Sequence, residues 1–200
     1  IKDSWIRAGY DLKKIRYILF MGRLNKIKGP DILLKAFLLI QNQHRNMHII
    51  FAGPDGGMMH QLKELASANN LNDRLHFVGF LGSAEKLKAY YNAEFIVIPS
   101  RQEAMSIVVL EAGMAGKSVL MTDQCGFNII QTIGGGHIVK TTISDVSRGL
   151  TKMLSDRSKL EKMGNKLRKY VYDNYLWDSI IGRYELMISN ILIARGKIKK

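Results

Sequence analysis

The sequence predicts an α/β fold: a doubly wound parallel sheet of about six strands, with helices on both faces and further helices at the C-terminal end. Short, continuous apolar runs alternate with longer amphipathic stretches, which is the pattern of strands and helices in turn. Each run ends at a glycine, a proline or a polar turn. Strands without polar alternation are typical of a parallel sheet that is covered on both sides.

Six apolar runs are the predicted strands, the last of them weak. They cover residues 17–21, 48–52, 75–78, 95–98, 119–121 and 138–139. In open parallel sheets, ligands bind beyond the carboxyl ends of the strands. The loops that follow five of these strands should therefore line any site. They begin after Met21, Ala52, Val78, Ile98 and Met121.

Helices are predicted between the strands and to the end of the chain. The first three cover residues 31–39, 58–69 and 84–91, and the helical pattern is continuous from about Asp145. Residues 107–115 are ambiguous, because the apolar residues 107–110 favour a strand but continue unbroken into Glu111 and Ala112. We interpret this segment as a short buried helix. Near the end, apolar residues at helical spacing from Trp177 to Ile188 form a stripe.

Composition limits the classes of function. The 200 residues are 46% hydrophobic and 24% charged, as in globular chains. The single cysteine, Cys125, excludes an internal disulfide and suits a cytoplasmic protein. No run of eighteen apolar residues predicts a membrane span. Because the first residue is Ile rather than Met, we expect a part of a longer chain.

The net charge of +13 is unevenly distributed. Residues 140–200 hold 14 Lys and Arg against 6 Asp and Glu, while the other 139 residues hold 16 against 11. Such an excess favours acidic partners, namely phosphates, nucleic acid or an anionic membrane surface. A solvated helix face with a lysine-rich tail explains it equally well. We find no recognition-helix or RNA-binding motif, so nucleic acid is the weakest of these partners.

Two cations follow the first predicted strand. Gly22 allows a sharp turn, Arg23 and Lys28 lie in the loop, and Gly29 leads into the next helix. Arginine binds phosphate in a bidentate way and lysine as a point charge, so the pair is a candidate clamp for a diphosphate. Solvated loop cations are the alternative.

Two carboxylates follow the fourth strand. Glu103 lies in the loop, and Glu111 lies about a turn into the ambiguous helix. A loop carboxylate can face a sugar ring, and a helix carboxylate can accept hydrogen bonds from a diol. Since buried carboxylates are rare unless paired, Glu111 is expected to have a ligand hydroxyl or a structural partner such as Lys or Arg. The backbone N–H groups of Met105, Ser106 and Ile107 are expected to be free at that helix start.

No metal site is predicted, because the five histidines show no ligand spacing. Cys125 has no base beside it in sequence, so a structural thiol is favoured over a nucleophile. The segment of Gly53 and Pro54 lacks the spacing of a dinucleotide fingerprint or a P-loop.

These motifs occur in an order that resembles the C-terminal, donor-binding domain of family 4 (group 1) glycosyltransferases of GT-B fold. The resemblance covers about residues 17–175. Its motifs are Gly22-Arg23-Leu24, Lys28-Gly29, Phe51-Ala52-Gly53-Pro54, Phe77-Val78-Gly79, Pro99-Ser100, the pair Glu103 and Glu111, and 112–117.

The resemblance implies a nucleotide-diphosphate-sugar donor linked to UDP or GDP, retention of anomeric configuration, and usually no bound metal or other cofactor. Arg23 and Lys28 would hold the diphosphate, and with Glu103 they are the expected catalytic residues. Glu111 would bind the ribose hydroxyls and Glu103 the sugar hydroxyls. The remaining expected contacts to the donor are backbone contacts. They come from Gly22, Gly53, Phe80, Leu81, Met105, Ser106 and Ile107.

The sequence departs from this family at two points. Ala104-Met105-Ser106 stands where members commonly have Gly-Phe-Gly, so side chains occupy positions where backbone usually approaches the sugar. Lys117-Ser118-Val119 stands in place of the usual Lys-Pro-Val.

The chain is thus expected to have three parts: a lead-in from a missing N-terminal, acceptor-binding domain (1–16), a nucleotide-sugar-binding domain (17–175), and a helix with a basic tail (176–200). We expect a hexosyltransferase of polysaccharide or glycolipid synthesis, inactive as this part alone, that is cytoplasmic or peripheral on the inner membrane face. Its acceptor could be lipid-linked. The alternative is a non-catalytic module that docks on an anionic membrane or polyanion through its basic C-terminal region.

Overall fold

A six-stranded parallel sheet forms the centre of the computed structural model, which describes residues 15–194. The strands are β1 (Arg16–Met21), β2 (Met47–Ala52), β3 (Leu75–Gly79), β4 (Phe95–Ile98), β5 (Val119–Thr122) and β6 (Gly136–Val139). Their spatial order is β3-β2-β1-β4-β5-β6, and every neighbouring pair is parallel. The strand order therefore reverses between β1 and β4, where a ligand crevice forms in doubly wound sheets. The predicted fold class is confirmed.

The helices of the described residues lie close to the predicted bounds. They are α1 (Pro30–Leu38), α2 (Met59–Ala68), α3 (Ser83–Asn92), α4 (Ile107–Met114), α5 (Ile129–Thr132), α6 (Ile143–Leu154), α7 (Arg157–Tyr175) and α8 (Trp177–Ala194). The sequence did not predict α5, because four residues are too few to show a helical period. Pro30 occupies the first turn of α1, where its missing N–H costs nothing.

The core is divided by the sheet into two layers. Ile18 and Phe20 of β1 point to one layer, with α1, α2, α6 and the start of α7, while Tyr17 and Leu19 point to the other, with α3, α4, α5 and the rest of α7. All four side chains are buried. Both faces of the strand are therefore apolar, which is why its sequence shows no alternation.

The ambiguous segment is a helix, as interpreted, but the expectation that it is buried is wrong. Ile107 is 67% exposed, and the buried residues of α4 are Val109, Ala112 and Gly113. Only one face of α4 packs on the sheet and on α7. The apolar run misled the interpretation, because an apolar residue in sequence does not show which side of a helix is covered.

α8 packs mainly against α7, and none of its residues is buried. The predicted apolar stripe is therefore largely exposed, with Trp177 and Tyr184 among its outward residues. None of the helices within residues 15–194 combines the length and the apolar composition needed to cross a membrane. Residues 1–14 and 195–200, which include most of the predicted lead-in and most of the basic tail, lie outside the described range.

Candidate functional site

The loops that follow β1 and β4 meet at the switch point of the sheet. Lys28 Nζ of the first loop lies 2.9 Å from Glu103 Oε1 of the second. The Ser100 hydroxyl donates a hydrogen bond to the same carboxylate oxygen. The Glu103 side chain is 9% exposed, whereas that of Lys28 is 34% exposed. A nearly buried carboxylate and an accessible ammonium group thus lie side by side at the expected ligand edge.

A second ion pair joins the same two loops. The Arg101 guanidinium donates to both carboxylate oxygens of Asp31, at 2.9 and 2.8 Å, and also to the Lys26 carbonyl at 2.6 Å. Although burial opposes it, the Arg101 pairing lowers the pKa of Asp31, and the Asp31 carboxylate raises the pKa of Arg101. Because Asp31 lies in the first turn of α1, this bidentate pair fixes the helix start against the β4 loop.

Glycines permit the close approach of these loops. Gly29 caps α1 with φ +68°, and a Cβ there would lie 2.1 Å from the Pro99 carbonyl oxygen. Gly53 has φ +145°, and its Cβ would lie 2.0 Å from the carbonyl oxygen of Gly22. No other residue type fits either position without backbone movement. The two predicted glycines Gly22 and Gly53 thus lie in contact at the rim.

Arg23 lies on this rim with its side chain exposed. Its aliphatic carbons pack beside Gly56, where an added Cβ would come within 2.8 Å of Arg23 Cγ. The guanidinium makes no hydrogen bond or ion pair with residues 15–194. Its five donors are therefore available to an anion.

Glu111 has two partners on α3. Lys86 Nζ lies 2.6 Å from its Oε1, and the Tyr90 hydroxyl donates to its Oε2 at 2.7 Å. Burial, and then the Glu111 charge, raises the pKa of Tyr90, which keeps the hydroxyl protonated as a donor. Neither partner was predicted from the sequence, although their i, i+4 spacing on a predicted helix places them on one face. Glu111 is thus held by a structural pair, one of the two alternatives that the sequence left open.

The segment before α4 differs from expectation at Ser106. Its backbone N–H is not free, because it donates to the Cys125 carbonyl at 3.2 Å. The N–H of Glu103 likewise donates to the Gln124 carbonyl at 2.8 Å. The loop after β5 approaches this closely through Gly126, whose φ is +63° and whose Cβ would lie 1.8 Å from the Ala104 carbonyl oxygen. The sequence held no periodic signal for this loop.

Ser106 is buried and its hydroxyl has no partner among the described residues, whereas Met105 and Ile107 on either side are exposed. Phe80 and Leu81 follow β3 at the same edge of the sheet. The Phe80 side chain is 77% exposed, while Leu81 is buried in the second core layer. Apolar side chains from two loops are therefore presented at this edge.

Cys125 is buried, within 3.2 Å of the Thr122 hydroxyl. Burial raises the pKa of the Cys125 thiol, so its environment disfavours the nucleophilic thiolate. Within residues 15–194, no group of three or more His, Cys, Asp or Glu side chains is arranged to hold a metal ion.

The sequence matches known proteins over most of its length. The family described as "Glycosyl transferases group 1" matches residues 4–170. A protein of Methanocaldococcus jannaschii, named as an uncharacterized glycosyltransferase, is 32% identical over 167 residues, which are 82% of this chain and 42% of that protein. The lipopolysaccharide 1,2-N-acetylglucosaminetransferase of Salmonella typhimurium is 25% identical, over 86% of this chain and 48% of that protein. The chain thus spans less than half the length of these two relatives.

Solved structures share the fold. Anabaena HepE, crystallised in complex with UDP-glucose, superimposes with a TM-score of 0.79 at 17% identity, over 94% of this chain and 52% of that one. The C-terminal domain of a group 1 glycosyl transferase family protein from Francisella tularensis gives a TM-score of 0.73 at 19% identity, over 88% of this chain and 95% of that one. One domain of a GT-B structure therefore corresponds to nearly the whole described chain.

Proposed function

Because this chain belongs to the group 1 glycosyltransferases, we propose that it is the donor-binding domain of a retaining hexosyltransferase. In the complete protein, the enzyme transfers a sugar from a UDP- or GDP-linked donor to an acceptor of polysaccharide or glycolipid synthesis. A missing N-terminal domain binds that acceptor, and the part described here is inactive alone. The complete enzyme acts in the cytoplasm or on the inner face of the membrane.

The contact of Lys28 with Glu103 carries this proposal. A lysine ammonium has three donors, so a Nζ that is oriented by Glu103 can still donate to a diphosphate at the same edge. Arg23, exposed in the same loop, can bind a second phosphate oxygen. The two cations then neutralise the charge that develops on the diphosphate as its bond to the anomeric carbon breaks.

The two glutamates take different parts of the donor in this proposal. Glu103, held by Ser100 and Lys28, accepts hydrogen bonds from sugar hydroxyls. Glu111 accepts from the ribose diol, and Lys86 and Tyr90 fix its carboxylate in place. Backbone groups at Phe80 and Leu81 contact the base, and those at Met105 and Ile107 contact the sugar and phosphate. Preorganised groups of this kind lower the barrier without reorganising during the reaction.

Calorimetric titration with UDP, GDP, ADP and their sugar conjugates tests donor binding and identifies the base. We expect one nucleotide class to bind, and Arg23→Ala and Glu111→Ala each to weaken it by about 10- to 100-fold, the effect of removing one or two hydrogen bonds to charged groups. Arg45→Ala is the matched control, because Arg45 is exposed in the loop before β2, at the opposite edge of the sheet. The assignment is wrong if no nucleotide binds at millimolar concentration, or if both site variants bind like the parent.

Docking on an anionic membrane is a second candidate function, and the surface of α7 favours it. Four exposed lysines follow one another at helical spacing on the face opposite the buried residues of α7. They are Lys159, Lys162, Lys166 and Lys169. This lysine stripe faces away from α4, the helix that carries Glu111, so docking and donor binding are compatible.

A further inference from the structure

A second cleft lies at the opposite edge of the sheet from Glu103. Its cavity of about 520 Å³ opens where β4 and β5 begin, beside the turn that joins α4 to β5 and the first half of α7. The length of α4, eight residues or about 12 Å, separates this amino edge from the loop that carries Glu103. Gly116 and Lys117 of the 112–117 motif line this cavity, but the proposed function gives them no role.

The walls of the cavity carry a positive excess. Lys117, Arg157 and Arg168 line it, together with the carboxylates of Glu94 and Glu161. The Glu94 side chain is only 5% exposed and is already paired, with Arg16 Nε at 2.8 Å and Arg157 Nε at 3.2 Å. The surplus charge therefore resides on Lys117 and Arg168, against the single carboxylate of Glu161.

Lys117 is half-buried, and its ammonium group makes no hydrogen bond or close ion pair with residues 15–194. Burial lowers the pKa of Lys117, although the nearby charge of Glu94 opposes this. A cation that has lost part of its hydration without gaining a partner is destabilised, and an anion in the cavity would offset that cost. Arg168 across the cavity is exposed and likewise makes no ion pair within the described range.

The backbone around Lys117 is fixed by close packing. The Lys117 N–H donates to the Ala112 carbonyl at 2.8 Å, which closes the turn after α4. Gly164 of α7 lies so close to this turn that an added Cβ would be 2.0 Å from the Gly116 carbonyl oxygen. The cation is therefore presented from a rigid turn rather than from a free loop.

We propose that this cavity binds a small phosphate monoester, with the phosphate held between Lys117, Arg157 and Arg168. A monoester carries about −1.5 to −2 charges at neutral pH, and the three cations on the walls outnumber the two carboxylates. Arginine pairs with phosphate oxygens in a bidentate way, and lysine adds a point charge. The cavity is larger than a phosphate alone, and the half-exposed ring of Tyr91 forms part of its wall. The organic part of the ester lies against that ring.

Calorimetry on the full-length protein tests the site with three probes: inorganic phosphate, a hexose phosphate and a nucleoside monophosphate. At least one ester should bind several times more tightly than inorganic phosphate. Lys117→Gln and Arg168→Gln should each weaken it by about tenfold or more, the effect of losing one charge-assisted hydrogen bond. Lys63→Gln is the matched control, because Lys63 is an exposed cation on α2, a helix that lines no part of the cavity. It should leave the affinity unchanged.

The same titrations repeated with saturating nucleoside diphosphate separate this site from the proposed donor site. Binding of the ester should persist under these conditions, whether or not the nucleotide itself binds. Displacement of the ester by nucleotide overturns the proposal, as does parent-like binding by both site variants or an equal loss in Lys63→Gln. Equal affinity for inorganic phosphate and both esters overturns the assignment of an ester.

Discussion

Two histidines on neighbouring strands, His48 of β2 and His76 of β3, share a hydrogen bond. Nδ1 of His48 lies 2.9 Å from Nε2 of His76, and the rings stack with centroids 5.2 Å apart. Only one proton fits between the two nitrogens, so one ring must remain an acceptor. Burial, and then the proximity of His48, lowers the pKa of His76 to about 4, although Asp73 opposes this. Burial and Arg74 also lower the pKa of His48.

We expect this pair to make the protein acid-sensitive. In the unfolded chain, His76 binds a proton near pH 6.5, whereas in the folded protein its pKa is about 4 and it stays neutral above that pH. The unfolded state thus binds more protons in this window, so stability falls as the pH is lowered from 6.5 towards 4. The free energy of unfolding should fall by on the order of 2 kcal/mol. Urea unfolding between pH 5 and 7.5 measures it.

His76→Leu should flatten this pH dependence, because the titrating group is removed. His60→Gln is the control, since His60 lies exposed on α2, where its removal should leave the slope as in the parent. If His76→Leu keeps the slope of the parent, the acid sensitivity arises elsewhere.

At the scale of residues, those whose type is rare for their position could be predicted from the sequence, but the partners that contact them could not. Glu111 was identifiable because it interrupts an apolar run. Its partners Lys86 and Tyr90 lie on a helix with many other polar residues, where nothing in the sequence separates a partner from a solvated side chain. The hydroxyl of Ser100 was equally inaccessible to sequence reasoning, since its contact with Glu103 depends on the shape of one loop.

At the scale of elements, the contact between α4 and α7 depends on two glycines. A Cβ on Gly164 would lie 2.0 Å from the backbone oxygen of Gly116, and one on Gly113 would lie 2.6 Å from Val171 Cγ2. We expect Gly164→Ala to push α7 away from the turn after α4 and to destabilise the fold by about 1–3 kcal/mol, as overpacking does. For a chain of this size, thermal unfolding should show a Tm lower by roughly 3–10 °C.

Gly182→Ala provides the matched control for this substitution. Gly182 lies inside α8, and an added Cβ there meets nothing within 4 Å. Alanine is favoured over glycine in a helix by about 0.5–1 kcal/mol, so this variant should be neutral or slightly more stable. Equal destabilisation by both substitutions would mean that the loss reflects helix propensity rather than the contact with Gly116.

The strands and the long helices could be predicted because their sequence patterns are long enough to be recognised. Each strand is a run of several apolar residues, and each long helix repeats its apolar spacing over several turns. The runs that became β1, β2 and β4 were apolar throughout and ended at glycine or proline. In contrast, α5 is one turn long and follows a loop without periodicity. The exposure of Ile107 was also beyond prediction, because it depends on which neighbours cover α4 rather than on α4 itself.

At the scale of the whole molecule, the parallel order of the strands separates two charged regions. All strands end at the edge that carries Lys28 and Glu103, and all begin at the edge near Lys117. The sequence predicted the first region, since loops after strands are ligand-binding positions in this class of sheet. It did not predict the second, because residues 94, 117, 157 and 168 approach one another only after α7 packs on α4.

The lysine stripe of α7 leads to a prediction about the whole surface. Lys159 pairs with Asp156 at 3.3 Å, and Lys169 pairs with Asp173 at 2.8 Å. Lys162 and Lys166 make no ion pair within residues 15–194. We expect vesicles of anionic phospholipid, but not vesicles of neutral phospholipid, to bind the protein in a sedimentation assay. Each lysine near such a surface contributes about 1 kcal/mol, so Lys162→Gln with Lys166→Gln should weaken binding by roughly 10- to 30-fold.

A variant of equal net charge separates docking by this face from attraction by total charge. Arg45→Gln with Lys63→Gln removes two exposed cations that lie outside the stripe, Arg45 before β2 and Lys63 on α2. If α7 is the docking face, this control binds vesicles like the parent, and 0.5 M salt releases both proteins because it screens exposed charges. Equal weakening by the two double variants would show that only the net charge matters, and membrane docking through α7 would then be rejected.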